Sequence, residues 1–222
     1  MAQALGATVA GQLADALAMK GTASLAVPGG STPGPFLTAL SGADINWRRV
    51  KILLTDERFV SEDNPRSNTA LLRKTLLQGP AAKAQLVAMY LEADTPEQVL
   101  DQVEKAILTA LPLDVCVLGM GADMHTASLF PGADQLEDAL KPDSPRVVFP
   151  MRAPGAPEPR LTLSASVLRA ASHLHLLITG PEKLAAFHQA EQPGPISEAP
   201  VRAILTAPNG VTVHYCENPE AT

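Results

Sequence analysis

The chain is poor in aromatic side chains, which make up 4% of its 222 residues, and it holds only two cysteines, Cys116 and Cys216. With few rings available, the core must be built mainly from Leu, Val, Ile and Ala. The cysteines stand far apart with no Cys-x-x-Cys spacing, which excludes a disulfide framework and fits a reducing compartment. No run of about 18 apolar residues occurs, so no membrane span is expected. The N-terminal stretch lacks a basic n-region, and Asp15 and Lys20 interrupt its apolar residues. A secretory signal is therefore not expected, and the cytoplasm is the expected location. Lysine and arginine form no cluster, and the net charge of −6 argues against nucleic acid as a partner. A small anionic ligand stays compatible with that charge, because a few local cations outweigh a diffuse distant field.

What is present describes a globular α/β chain. Hydrophobic residues reach 46% and charged residues 18%, which excludes disorder. The 20 prolines fall mostly between periodic segments, where they punctuate. Apolar positions at helical spacing (Leu5, Val9, Leu13, Leu17) predict a helix over residues 4–19, stopped by Gly21. A buried strand follows at Ala23 to Val27, then a helix to about Leu40 with Thr32 as N-cap and Pro33 at its first position. The alternation continues with strands at 50–54, 86–91, 113–118, 146–151, 174–179 and 211–215. Helices are expected between them at 67–77, 96–111, 164–171 and 181–190. Strands separated by such helices imply βαβ units, hence a Rossmann-like, mainly parallel sheet with helices on both faces. Residues 1–222 read as one domain, and the proline-rich stretch 153–159 reads as a loop within it.

Open α/β sheets gather ligands where strand carboxyl ends lead into loops. Four such loops are rich in polar residues. Gly29-Gly30-Ser31-Thr32-Pro33 follows the first strand, and its glycines and hydroxyls suit an anion or oxyanion, though a tight capped turn explains it equally. It lacks the Gly-Lys-Ser/Thr ending of a Walker loop and the last glycine of a nucleophile elbow. Thr55-Asp56-Glu57-Arg58 follows the second strand; Arg58 suits a phosphate or carboxylate and Asp56 a polar ligand, against the plain alternative of a solvated charge run. The loop from Gly119 through Asp123 and His125 to Pro131 follows the clearest strand, and His125 there suits a general base, with a helix-capping histidine as the alternative. Lys183 occupies the first turn of a helix, where the macrodipole disfavours a cation unless it reaches for an anion. His173 and His175 alternate on one strand, but no carboxylate or cysteine stands at ligand spacing, so no metal is expected.

In this order the segments GGSTP, DERFV with NPRSN, LGMGADMHTASLFPG, and PRLTLSASVLRAA with LITGPEK resemble the 6-phosphogluconolactonase family, over about Ala23 to Val213. The segment Pro200 to Leu205 resembles that family's closing stretch. The resemblance implies a fold similar to that of glucosamine-6-phosphate deaminases and ribose-5-phosphate isomerases, with a smaller appended portion. It implies hydrolysis of 6-phospho-D-glucono-1,5-lactone in the oxidative pentose phosphate pathway, without a cofactor. It also implies His125 as base; Asp123, two residues before it, suits either orienting that histidine or contacting substrate, and whether Asp123 or Asp56 assists the base stays open. Arg58 and Lys183 would then be the phosphate contacts, and Gly30, Ser31 and Thr32 the substrate cradle. The expected assembly is a monomer or small homo-oligomer. One position departs from the family's usual GxDGHTASLFP: Met124 stands where glycine is usual. A deaminase on this fold would continue its histidine loop toward an AFNEP-like ending, and a sugar-phosphate-sensing regulator would carry a helix-turn-helix ahead of the first strand, where about 20 residues stand.

Overall fold

A computed structural model of the chain describes residues 1–30, 32–144 and 146–217. Helix α1 (Ala2–Lys20) ends where Gly21, at φ 74°, turns left-handed and donates its N–H to the carbonyl of Leu17. The chain then enters β1 (Ala23–Val27), α2 (Gly34–Ser41) and β2 (Val50–Leu54). A three-residue strand β3 (Asp56–Arg58), α3 (Asn68–Thr75) and a two-residue strand β4 (Gln85–Leu86) follow. Next come α4 (Leu100–Leu108), β5 (Val115–Gly119), α5 (Leu136–Leu140), β6 (Val148–Met151) and β7 (Arg160–Leu163). The chain closes with α6 (Ala165–Arg169), β8 (His173–Thr179), α7 (Pro181–Glu191), α8 (Val201–Leu205) and β9 (Thr212–Cys216).

Six strands form a parallel sheet in the order β4-β2-β1-β5-β8-β9. Counting only these strands, this is the doubly wound order 3-2-1-4-5-6, whose direction of winding reverses between β1 and β5. Every residue of β1 is buried, as are the first four of β5. A strand buried on both faces must be covered on both faces, which is why these two read as unbroken apolar runs. Aliphatic side chains dominate the core as the composition requires; Trp47, Phe36 and Phe149 are its buried large rings, and the Trp47 indole N–H is satisfied by the Ala43 carbonyl. No described helix is long and apolar enough to cross a membrane.

Several expected elements are corrected. The strand foreseen over 86–91 is reduced to Gln85–Leu86, because only Lys51 and Ile52 offer it a partner. The helix foreseen over 96–111 is a short 3-10 turn followed by α4, broken at Val99, whose φ of −112° and ψ of 0° lie off the helical line. Thr32 does not cap α2: the helix starts one turn position later, with Pro33 at its N-cap and no side-chain cap.

A second sheet is antiparallel with order β3-β7-β6; the strand expected at 146–151 belongs to it as β6, while β3 and β7 were not expected. Thr55 joins the two sheets: its N–H donates to Val27 and its carbonyl accepts from Leu163 of β7. The segment 153–159, read as a loop, connects β6 to β7. Because the small sheet grows from the end of β2, it stands over the carboxyl ends of the parallel strands and supplies one wall of the pocket there.

Candidate active site

The pocket lies at the point where the sheet's winding reverses, between the loops after β1 and β5, and encloses about 240 Å³. That is below the range of drug-sized sites and suits one small metabolite. Gly30, Thr32, Asp56, Arg58, His125 and Lys183 all line it, so six of the sequence-predicted residues converge. Ser31 lies outside the described residues.

The histidine loop is closed on itself. Gly121 N–H donates to the His125 carbonyl at 3.0 Å, and Met124 N–H donates to the Gly121 carbonyl at 3.0 Å. The Thr126 hydroxyl donates to the Gly119 carbonyl at 2.8 Å, which ties the loop back to β5. This path requires Met124 at φ 62° and Ala127 at φ 48°. The left-handed region costs an L-residue roughly 1–2 kcal/mol, which is why glycine is favoured before the histidine. Met124 recovers part of that cost by packing against the core, and its carbonyl accepts the Val201 N–H at 3.1 Å. No helix follows His125 directly, so the helix-capping alternative does not apply.

Within that loop His125 Nδ1 stands 2.5 Å from Asp123 Oδ1, which also accepts the His125 backbone N–H at 3.2 Å. The imidazole bond holds the Asp123 carboxyl below the usual carboxylate range, against partial burial. An ionised carboxylate only accepts, so the proton of a neutral His125 sits on Nδ1 and the lone pair on Nε2. The ring packs on Phe130 with centroids 4.2 Å apart. The result is an imidazole of fixed tautomer and fixed orientation at the pocket wall.

The part of the lining that comes from β3 and β7 is cationic. In the β3–β7 ladder Asp56 faces Thr162 and Arg58 faces Arg160, and side chains two apart share a face. Arg58 Nη1 donates to the Arg66 carbonyl at 2.6 Å and to Asn68 Oδ1 at 3.2 Å. Arg160 Nη1 lies 3.4 Å from the Ser128 hydroxyl and 3.6 Å from Asp56 Oδ2, and its guanidinium covers the Phe130 ring at 5.2 Å. Asp56 is itself 6% exposed and accepts the Ser128 hydroxyl at 2.6 Å. Like charges placed directly opposite are unfavourable. Here both arginines also leave a buried Nε–H without a partner among the described residues. Lys183, third residue of α7, lines the same cavity.

The frame beneath is built from Glu57 and Asn68. Glu57, 1% exposed, accepts the N–H groups of Arg58, Asn68 and Thr69 and the Thr69 hydroxyl. Burial pushes its carboxyl up and those bonds pull it down; burial is the larger effect. It satisfies orphan donors at the start of α3, where Ser67 is the N-cap. Asn68 packs so tightly on Gly29 that a Cβ there would fall 2.0 Å from its Oδ1.

Sequence reasoning gave no role to Arg160, Asn68, Ser128 or Phe130, although each stands inside or beside a recognised motif. The signal for Arg160 is its place at the start of an alternating stretch, Arg-Leu-Thr-Leu, which follows the loop 153–159 and falls within no expected element. Asp56, expected to meet a ligand, has its carboxylate engaged by Ser128 and Arg160. Among the described residues no group of three or more His, Cys, Asp or Glu is placed to hold a metal.

Fold and pocket together define a doubly wound α/β protein with a histidine–aspartate pair and a group of cations at the reversal point of its sheet. The chain belongs to the family of glucosamine-6-phosphate isomerases/6-phosphogluconolactonase, whose model matches residues 1–214. A 6-phosphogluconolactonase of Rhizobium meliloti is 48% identical to it over 207 residues, 92% of this chain and 89% of its own length. The crystal structure of a 6-phosphogluconolactonase from Shewanella baltica matches with a TM-score of 0.92 at 36% identity, covering 96% of this chain and 92% of that one. A monomeric glucosamine-6-phosphate deaminase shares the fold, with a TM-score of 0.77 at 18% identity over 99% of this chain and 94% of its own.

Proposed function

We propose that this chain hydrolyses 6-phospho-D-glucono-1,5-lactone to 6-phospho-D-gluconate, with His125 as the base that activates water. As an enzyme it is a carboxylic ester hydrolase. The observation that carries the mechanism is the Asp123–His125 contact, which leaves Nε2 as the free acceptor beside a cationic cavity. The names of the relatives support the substrate, and the pocket's size and charge fit it.

Arg58 and Lys183 hold the phosphate, so that attack at the distant carbonyl becomes intramolecular in geometry. His125 Nε2 takes a proton from water as the oxygen bonds to the lactone carbon. The tetrahedral intermediate collapses with cleavage of the ring C–O bond, and the imidazolium returns the proton to the departing ring oxygen. The carboxylic acid then ionises to solvent. Asp123 keeps Nδ1 protonated throughout and stabilises the imidazolium. A strained ester needs no covalent nucleophile, in keeping with the missing elbow. Gly30 and Thr32, which line the pocket, form the cradle around the sugar, and the pathway is the oxidative pentose phosphate route in the cytoplasm.

The test generates the lactone in situ at pH 7 and compares native protein, His125→Ala and a blank, since the lactone also opens unaided. Fast opening by the native protein with near-blank rates for the variant supports both activity and base. Equal fast rates keep the hydrolase and discard His125. Blank rates for both discard the hydrolase.

A further inference from the structure

We infer that Arg160 is the residue that receives the negative charge formed at the reacting carbonyl, and then binds the carboxylate of the product. The inference rests on the hydrolase reading for its chemistry, and on geometry independent of it for its site.

Charge matching points first to a third cation with its own task. The substrate is neutral at the carbonyl and anionic only at its phosphate, whereas the product carries a phosphate of charge about −1.5 to −2 and a carboxylate. Arg58, Lys183 and Arg160 are the arginine and lysine side chains lining the cavity among the described residues. Two of them suffice for a phosphate. Arg160 is the one tied to the histidine loop: Nη1 reaches the Ser128 hydroxyl, three residues from His125, and the guanidinium shares the Phe130 ring with the imidazole. Arg58, by contrast, is tied to the segment leading into α3 through Arg66 and Asn68.

The guanidinium is also partly used and partly unspent. Asp56 takes up Nη1 from the buried side, and no described residue accepts from Nε, which is buried. An arginine with one edge held and the other free is oriented for a two-oxygen acceptor. A buried donor left without a partner is costly in the resting protein; Arg58 Nε shares that condition, so it is the tie to the histidine loop that singles out Arg160. A lactone carbonyl offers that edge one weakly basic oxygen; the tetrahedral oxyanion, and then the carboxylate, offer much more. The interaction therefore strengthens along the reaction, as transition-state stabilisation requires.

The experiment compares Arg160→Met with native protein by kinetics and by calorimetric binding of two ligands. One is 6-phosphogluconate; the other is glucitol 6-phosphate, the same chain with a hydroxymethyl group in place of the carboxylate. The expected result is a fall in kcat on the order of 10²–10³ with KM within about 3-fold, the size of effect seen when one oxyanion donor is lost. Binding of 6-phosphogluconate should weaken at least about 10-fold, as expected for a lost charged hydrogen bond, while glucitol 6-phosphate is unaffected. Equal loss for both ligands would make Arg160 a second phosphate arm and overturn the inference, as would unchanged affinity for both. Should Arg160→Met fail to fold, Arg160→Lys keeps the charge without the fork, and must lose the preference for the carboxylate ligand. If the native protein shows that preference but opens no lactone, the hydrolase reading falls and the Arg160 site stands.

Discussion

A Cβ on Gly121 would lie 2.3 Å from the imidazole ring of His125 and 2.4 Å from Asp123 Oδ1. Neither neighbour is the free end of a flexible side chain, since they are hydrogen-bonded to each other. Gly121→Ala must therefore displace the pair it was meant to leave alone. The expected outcome is a kcat lower by at least about 10-fold, because a misplacement near 1 Å is worth up to about 100-fold. The melting temperature should move little, since the loop is partly exposed. Native kcat in this variant would show that the Asp123–His125 geometry does not govern turnover.

His125→Ala removes the base, and kcat should fall about 10²–10⁴-fold with product affinity kept. Asp123→Asn keeps the shape but not the charge that fixes the tautomer. Its loss should be smaller, about 10–100-fold, because Asp123 is half exposed and water replaces part of its field. If Asp123→Asn left kcat unchanged, Asp123 would be a loop brace only.

In the proposed mechanism Arg58 carries the phosphate end. Arg58→Ala should raise KM by about 10-fold or more with kcat nearly unchanged, the signature of lost uniform binding. An unchanged KM would remove it from that role. Millimolar inorganic phosphate should also raise the melting temperature of native protein and not that of the variant, because only a ligand bound to the folded state stabilises it.

His175 sets a pH dependence far from the pocket. It is 2% exposed, and its Nδ1 stands 3.0 Å from His214 Nε2 while its Nε2 stands 2.9 Å from Gln12 Oε1. Burial, with the charges of His214 and His173 adding to it, depresses its pKa to about 4. Burial lowers that of His214 as well. Between pH about 6.5 and about 4 the unfolded chain binds protons that the folded chain refuses, so stability is full above the unfolded value and declines as pH falls through that window. The loss from His175 is about 3 kcal/mol. Urea unfolding at pH 7.5 and pH 4.5 should show that decline in native protein and a smaller one in His175→Gln. Equal declines in both would place the acid sensitivity elsewhere.

The strands β1, β2 and β8 were legible because a strand buried on both faces announces itself as a bounded apolar run. The histidine loop was legible because glycines, a histidine and an aspartate in ten residues have few structural uses. Five-residue helices such as α5 and α8 were not, since they complete barely more than one turn and show no period. In the small antiparallel sheet β6 was legible, but β3 was hidden for a related reason. Asp56–Arg58 is three charged residues, and a strand that short carries no alternation to read.

The amino-acid order alone determined an α/β chain whose polar loops all follow strand ends, and the candidate residues on those loops. Only the tertiary structure decided that Arg58 and Arg160, about a hundred residues apart, stand opposite each other, and that Asp56 turns to Ser128 and Arg160. Periodicity is a local property and reports which face of an element is buried. Register between distant strands is chosen by the packing of the whole core, so the cationic wall and its unspent donors exist only once the chain has folded.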